Sequence, residues 1–114
     1  MAEMDDNNWE NIFINAWSRL GNGENLHAEE LFRQVIDLNP QVVDGWYGLG
    51  LALKVQGRKE EAIRCFQKAL ELIEIGLVAD RTRRSMVRRL ALGHINLLRN
   101  GNWNLEKEFW QKNP

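Results

Sequence analysis

The sequence has few of the residues that interrupt helices or cross-link a chain. Its 114 residues include two prolines, Pro40 and Pro114, and one cysteine, Cys65. Because proline disrupts the interior of a helix, the long stretches around Pro40 are free to be helical. A lone cysteine excludes an internal disulfide and a zinc site made of several cysteines. Since it also fits a reducing compartment, we expect a cytoplasmic protein.

Long apolar runs are also missing. No run approaches the ~18 to 20 apolar residues that a membrane span needs. The acidic residues 1–7 lack the basic and then apolar pattern of a secretory signal. Hydrophobic residues make up 44% and charged residues 27% of the chain, which is typical of a folded globular protein. We therefore expect no membrane contact, a flexible acidic N-terminus at residues 1–7, and a single domain at residues 8–114.

The net charge of -1 conceals an uneven distribution. Residues 1–40 contain eight acidic and two basic side chains, whereas residues 81–114 contain eight basic and two acidic ones. Such opposite ends either balance each other within one molecule or attract a second copy or a charged partner. The composition leaves both interpretations open.

Three glycine turns divide the chain into similar units. They lie at Gly21-Asn22-Gly23, Gln56-Gly57-Arg58 and Asn100-Gly101-Asn102. An aromatic residue follows each turn at the same distance, namely Phe32, Phe66 and Trp110. Apolar residues beside the turns recur at spacings of three and four, as in Trp46, Leu49 and Leu53. This pattern predicts antiparallel helix pairs joined by short turns, in which glycine supplies the left-handed backbone conformation.

Several helix ends can be predicted as well. Asn7 is a candidate N-cap for the first helix, and Pro40 ends the second helix of that pair. Asp80 is a candidate N-cap for a long helix that reaches about Arg99. A short helix is predicted after it, at residues 103–112.

Residues 43–72, VDGWYGLGLALKVQGRKEEAIRCFQKALEL, resemble a tetratricopeptide repeat (TPR). Seven of the eight family positions are filled, by Trp46, Leu49-Gly50, Leu53, Gly57, Ala62, Phe66 and Ala69, and Glu74 stands in place of the closing proline. A weaker repeat precedes it, with Ile12, Ala16, Gly23, Ala28, Phe32, Val35 and Pro40. The resemblance implies an all-α, right-handed TPR-type solenoid of helix hairpins with about six helices. Repeat 1 would span about 9–42, repeat 2 about 43–76, and a degenerate third hairpin or cap about 80–112.

The repeat positions alternate between small and large side chains. We expect the small residues to let helix axes approach closely, namely Gly50, Ala62 and Ala69. We expect the large residues to fill the space between hairpins, namely Trp46, Leu53 and Phe66. Because one hairpin alone leaves a face uncovered, stacked neighbours supply the core.

The family resemblance also implies a function, which is that of a non-catalytic protein–protein interaction module. Such a scaffold, adaptor or co-chaperone-like protein binds a peptide or a helix in the concave groove, and needs no cofactor or metal. The implied lining is Glu10, Phe13, Ile14, Trp17, Asp44, Tyr47, Gly48 and Leu51. We expect Phe13, Trp17, Tyr47 and Leu51 to anchor an apolar partner, with charge complementarity from Arg81, Arg84 and Arg88. One TPR subset clamps a terminal carboxylate with Lys and Asn; Phe13, Trp17 and Gly48 occupy those places, which argues against that clamp.

Two other functions stay open. In the first, the groove is filled by a second copy or by the chain's own C-terminal helix, and the protein is a self-assembling structural element or homodimer. In the second, the arginine-rich helix that begins at Arg81 binds nucleic acid or an acidic ligand. A sequence pI of about 6.1 and the lack of a nucleic-acid-binding module argue against nucleic acid.

Residues capable of catalysis are not arranged in a recognised motif. The two histidines, His27 and His94, belong to no metal-binding spacing, and His94 is expected to be structural. Cys65 lies within a predicted repeat helix, where a packing role is expected. No phosphate-binding or dinucleotide-binding glycine loop is present.

Overall fold

The fold consists of five helices in the described part of the chain. The structure, a computed structural model, describes residues 8–76, 78 and 80–103. The helices are α1 (Trp9–Gly21), α2 (Asn25–Leu38), α3 (Val43–Val55), α4 (Lys59–Glu74) and α5 (Arg81–Asn100). The all-α prediction is confirmed. The predicted N-terminal segment 1–7, and the predicted sixth helix from residue 104 onward, lie outside the described residues.

The helix ends follow from local capping chemistry. Asp80 caps α5 as predicted, since its side chain accepts a hydrogen bond from the backbone N–H of Arg83 at 3.2 Å. For α1 the predicted cap is displaced by one residue. Asn8, in extended conformation, accepts a bond from the N–H of Glu10 at 2.8 Å, so Asn8 and not Asn7 fills the cap position.

The predicted glycine turns adopt the left-handed conformation that only glycine accepts without strain. The φ angle is +82° at Gly23, +80° at Gly57 and +80° at Gly101. Each of these glycines comes one or two residues after the end of a helix, namely α1, α3 or α5. The turns therefore reverse the chain where the repeat pattern requires it.

The helices form two layers with different spacing. Helices α1 and α2 pack as one hairpin and α3 and α4 as the next, while α2 packs on α3 and α4 on α5. On one side the backbone of α3 lies close to both α1 and α5, whereas the backbones of α2 and α4 lie farther apart. Because one layer is closer than the other, the stack curves toward the side of α1, α3 and α5. We call that side the inner face.

Two phenylalanine rings pack against glycines of α3. Phe32 and Phe66 are both fully buried. The ring of Phe32 occupies the space that a Cβ at Gly48 would need, and the ring of Phe66 lies 2.6 Å from a Cβ placed on Gly50. Helix α3 is thus held between a ring from the preceding hairpin and a ring from its own hairpin. The close approach expected at the small residue Gly50 is confirmed here.

A buried carboxylate provides a second contact between the hairpins. Glu29 of α2 pairs with Arg33 at 2.9 Å and with Arg58 at 2.8 Å, and it accepts a hydrogen bond from Gln56 at 3.0 Å. Burial raises the pKa of the Glu29 carboxyl. The hydrogen bonds from Gln56 and Arg33 and the nearby guanidinium charges lower this pKa by more than burial raises it, so the net shift is downward. Since Gln56 and Arg58 flank Gly57, this Glu29 cluster ties α2 to the turn of the second hairpin.

Replacing Gly50 by alanine is expected to destabilise the fold. The added Cβ overlaps the buried Phe66 ring, and overpacking of this kind costs roughly 1 to 3 kcal/mol. Alanine's higher helix propensity offsets about 1 kcal/mol of that. Gly21→Ala is the matched control, because nothing lies within 4 Å of its Cβ position. Urea unfolding should give a lower free energy for Gly50→Ala than for Gly21→Ala; equal values would contradict the packing account.

Replacing Glu29 by glutamine is expected to weaken the contact between hairpins. The variant keeps the shape but loses two charge-assisted hydrogen bonds, so the free energy of unfolding should fall by about 1 to 2 kcal/mol. Glu30→Gln, an exposed neighbour on the same helix, is the control and should leave stability nearly unchanged. Thermal melting monitored by circular dichroism distinguishes the two variants. An unchanged melting temperature for Glu29→Gln would show that the cluster is dispensable for stability.

Candidate binding groove

The inner face carries the aromatic residues that the sequence singled out. Phe13 and Trp17 lie one turn apart on α1, with ring centroids 6.1 Å apart, and Trp17 lies 6.4 Å from Tyr47 of α3. Leu51 follows Tyr47 by one turn and packs against the same core. All four are half-buried. The structure thus brings the four predicted apolar anchors onto one continuous surface, which we call the groove.

Fully buried rings support the groove from below. Trp17 meets Phe32 edge-on at 5.0 Å, and Tyr47 lies 5.7 Å from Phe66. These are the two rings that pack on the glycines of α3. The positions of the groove aromatics are therefore set by the core and not by solvent-exposed loops.

Two exposed apolar side chains lie on the same helices as the four anchors. Ile14, about one helical turn before Trp17 on α1, is 68% exposed, and Val55 at the end of α3 is 58% exposed. The predicted lining residue Gly48 is buried under Phe32 and offers no surface to a ligand. The exposed side chains enlarge the apolar area beyond the four anchors.

A histidine from α5 joins the groove to the third unit. The His94 ring stacks on Phe66 at 5.0 Å with an interplanar angle of 11°. Its Nε2 lies 3.2 Å from the hydroxyl of Tyr47, and its Nδ1 lies 3.1 Å from Nζ of Lys54. The structural role expected for His94 agrees with these contacts.

The environment of this histidine keeps it neutral. Burial, followed by the positive charge of Lys54, lowers the pKa of His94 from 6.5 to about 4. Burial also raises the pKa of the Tyr47 hydroxyl. At neutral pH the cluster of Tyr47, His94 and Lys54 therefore carries one charge, which is that of the lysine.

The predicted arginines lie apart from the aromatic anchors, at the beginning of α5. Arg84 donates to the carbonyl of Val78 at 3.2 Å, and Arg88 pairs with Glu74 at 3.0 Å. Arg81 is exposed in the first turn of the helix. None of the three is in direct contact with Phe13, Trp17, Tyr47 or Leu51 in the described structure, so the two predicted sets form separate surfaces.

Three site residues were not predicted as contacts from the sequence. Arg83 pairs with Asp44 of α3, a residue that was predicted to line the groove. Lys54 shares the face of Tyr47 and Leu51 at helical spacing, which is a signal that could have found it. The pairing of His94 with Tyr47 joins residues 47 positions apart, and no local pattern carries it.

The described residues include few groups suited to metal binding or to catalysis by a cysteine. No cluster of three or more His, Cys, Asp or Glu side chains that could hold a metal ion occurs there. Burial raises the pKa of the Cys65 thiol to about 11, so the thiolate that reacts with electrophiles is disfavoured. No helix in the described ranges is both long and apolar enough to cross a membrane.

Comparison with known proteins agrees with this architecture. Residues 43–74, which span α3 and α4, match the family model described as the tetratricopeptide repeat. The chain contains a tetratricopeptide repeat. The predicted resemblance to this family and the predicted solenoid of helical hairpins are confirmed.

Two relatives are similar to parts of this chain. An uncharacterized protein of Methanocaldococcus jannaschii is 44% identical over 48 residues, which cover 42% of this chain and 56% of the relative. Superkiller protein 3 of Saccharomyces cerevisiae is 34% identical over 71 residues, which cover 62% of this chain and 5% of the relative. The chain thus spans about half the length of the first relative and a small part of the second.

The stability of the folded chain is expected to fall as pH decreases from about 6.5 to about 4. Unfolded His94 binds a proton near its ordinary pKa, whereas the folded ring does so near pH 4, so in this window the unfolded state holds more protons. Urea unfolding at several pH values should show this loss. His94→Gln should flatten the profile between these values.

The exposed histidine provides the control for that measurement. His27 lies 3.8 Å from Glu24 at the surface, outside the cluster of Tyr47, His94 and Lys54, and His27→Gln serves as the matched substitution. If His94→Gln kept the wild-type slope, the titration of His94 would not be its cause.

Proposed function

We propose that this chain is a non-catalytic interaction module that binds an apolar peptide or helix in the groove. A tetratricopeptide repeat supports a protein–protein interaction module in general. The observation that supports the finer proposal is the continuous surface of Phe13, Trp17, Tyr47 and Leu51, packed against the core on the inner face. Half-buried aromatic anchors on preorganised helices are favourable for binding, because little conformational entropy is lost.

The module would act as a scaffold or adaptor in the cytoplasm. Arg81, Arg84 and Arg88 supply positive charge at one end of α5, which favours a partner with acidic residues beyond its apolar segment. Two of them already have partners within the chain, Arg84 at Val78 and Arg88 at Glu74. Their contribution to binding is therefore expected to be smaller than that of the aromatic anchors.

Replacing Ile14 by serine is expected to weaken peptide binding about tenfold, since a buried aliphatic side chain contributes roughly 1.5 to 3 kcal/mol. Peptides would be selected on the immobilised wild-type protein from a phage-displayed library, and their affinities measured by the fluorescence of the chain's tryptophans. Ile14 is suited to this test because its side chain is 68% exposed, so the change leaves the core intact.

A matched control lies on the opposite layer. Leu26 of α2 is 69% exposed, and Leu26→Ser should leave the affinity unchanged. Equal affinities for both variants, or a loss confined to Leu26→Ser, would remove the groove as the binding surface. Light scattering of the free protein at low and high salt tests the alternative that a second copy fills the groove.

A further inference from the structure

A tryptophan after the last turn packs on α5. The ring of Trp103 occupies the space that a Cβ at Gly93 would need, as the ring of Phe66 does at Gly50. The buried side chain of Asn96 donates a hydrogen bond to the backbone carbonyl of Trp103 at 3.0 Å. Helix α5 therefore already carries a ring on its glycine. This ring comes two residues after the turn glycine, whereas Phe66 comes nine residues after its own.

The sequence after Trp103 does not suit the place that α2 and α4 take in their hairpins. In those helices an alanine comes five residues after the turn glycine, at Ala28 and Ala62, and both alanines are fully buried. Glu106 stands at the corresponding position of the third unit. A carboxylate at such a position would lose its hydration, and its longer side chain would hold the two helices apart. A third helix pair built like the first two is therefore unfavourable for residues 104–114.

The segment 104–114 nevertheless carries large apolar side chains. In a helix they fall on one side, namely Leu105, Phe109 and Trp110. The other side is polar, with Asn104, Lys107 and Gln111. An amphipathic helix of this kind has the chemistry of the partner that was proposed for the groove.

The segment begins beside the groove. The Trp103 ring meets the His94 ring edge-on at 5.0 Å, and the His94 ring lies 5.8 Å from that of Tyr47. From Tyr47 the groove continues over 6.4 Å to Trp17 and over a further 6.1 Å to Phe13. A helix formed by the segment would span ~16 Å, which is long enough to cover both of these ring spacings. The chain that leaves Trp103 can therefore reach the anchors of its own molecule.

The charges at the two ends of the groove agree with this direction. Lys54 of α3 contacts His94 close to the start of the segment, where the segment carries Glu106. Glu10 is exposed in the first turn of α1 at the far end, where the segment carries Lys112. A helix that runs from α5 toward α1 therefore brings opposite charges near each other at both ends.

We propose that residues 104–114 bind as a helix in the groove of their own chain and compete there with a partner peptide. This autoinhibitory contact rests on the proposed function, because it gives the groove an internal ligand that a partner must displace. Leu105 and Phe109 supply the apolar contacts to the groove anchors. The affinity for a partner then depends on the fraction of molecules whose groove is free.

Peptide affinity tests the competition. Phe109→Ser removes the central apolar side chain of the segment. Library peptides selected on the wild-type protein should then bind about tenfold tighter, as expected if about one groove in ten is free in the wild type. Gln111→Ser, on the polar side of the same segment, is the matched control and should leave the affinity unchanged. An unchanged affinity for Phe109→Ser overturns the proposal.

A spin label tests where the segment lies. The label is attached through Lys112→Cys; Cys65 is buried, and the pKa of its thiol, raised to about 11, disfavours labelling there. The NMR signals of Trp17 are expected to broaden more than those of Leu90. A third hairpin would instead place position 112 beside Leu90, since both lie eleven residues from Gly101. Stronger broadening at Leu90 contradicts the proposal.

A mixed sample distinguishes the chain's own segment from that of a second copy. Spin-labelled protein without isotope is mixed with isotope-labelled protein that carries no spin label. The Trp17 signals should stay sharp in this mixture. Broadening there assigns the groove to the segment of a second copy and overturns the intramolecular contact.

The outcomes also separate this contact from the proposed function. If Ile14→Ser weakens the binding of library peptides while Phe109→Ser changes nothing, the groove stands and the autoinhibition falls. If the spin label broadens Trp17 within one molecule while Ile14→Ser leaves library peptides unaffected, the contact of the segment stands and the proposed function falls.

Discussion

The fold depends on the close approach of two phenylalanine rings to glycines of α3. Phe32 comes from the first hairpin and Phe66 from the second, and each fills space that a side chain at Gly48 or Gly50 would need. Because both rings are fully buried, neither can swing away to admit a larger residue without opening a void. The same rings support Trp17 and Tyr47, so the width of the groove is a consequence of core packing.

A polar contact complements this apolar one. The Glu29 cluster fixes α2 to the turn between α3 and α4. A carboxylate removed from water is costly unless it is paired, and Glu29 meets Arg33, Arg58 and Gln56. The packed rings resist a closer approach of the helices but allow the helices to rotate, whereas the directed hydrogen bonds of Glu29 fix the orientation of the helices. The two contacts together define how one repeat sits on the next.

Local features of the sequence predicted most of the fold and half of the site. The turn at Gly57 and the cap at Asp80 depend on neighbouring residues alone, and the family resemblance assigned Trp17 and Tyr47 to the groove. The cap of α1 differed by one residue because Asn7 and Asn8 offer the same chemistry. The contact of His94 with Tyr47 was not predictable, since it depends on the angle between hairpins. That angle results from the whole interface and has no local signature.

The position of His94 couples the groove to the third unit. Its ring stacks on Phe66 and meets Trp103 at 5.0 Å, while its nitrogens contact Tyr47 and Lys54. Lys54 of α3 and His94 of α5 are in direct contact, so the position of α5 and the position of the Lys54 ammonium group depend on each other. One side chain therefore joins the third unit to the aromatic residues of the groove.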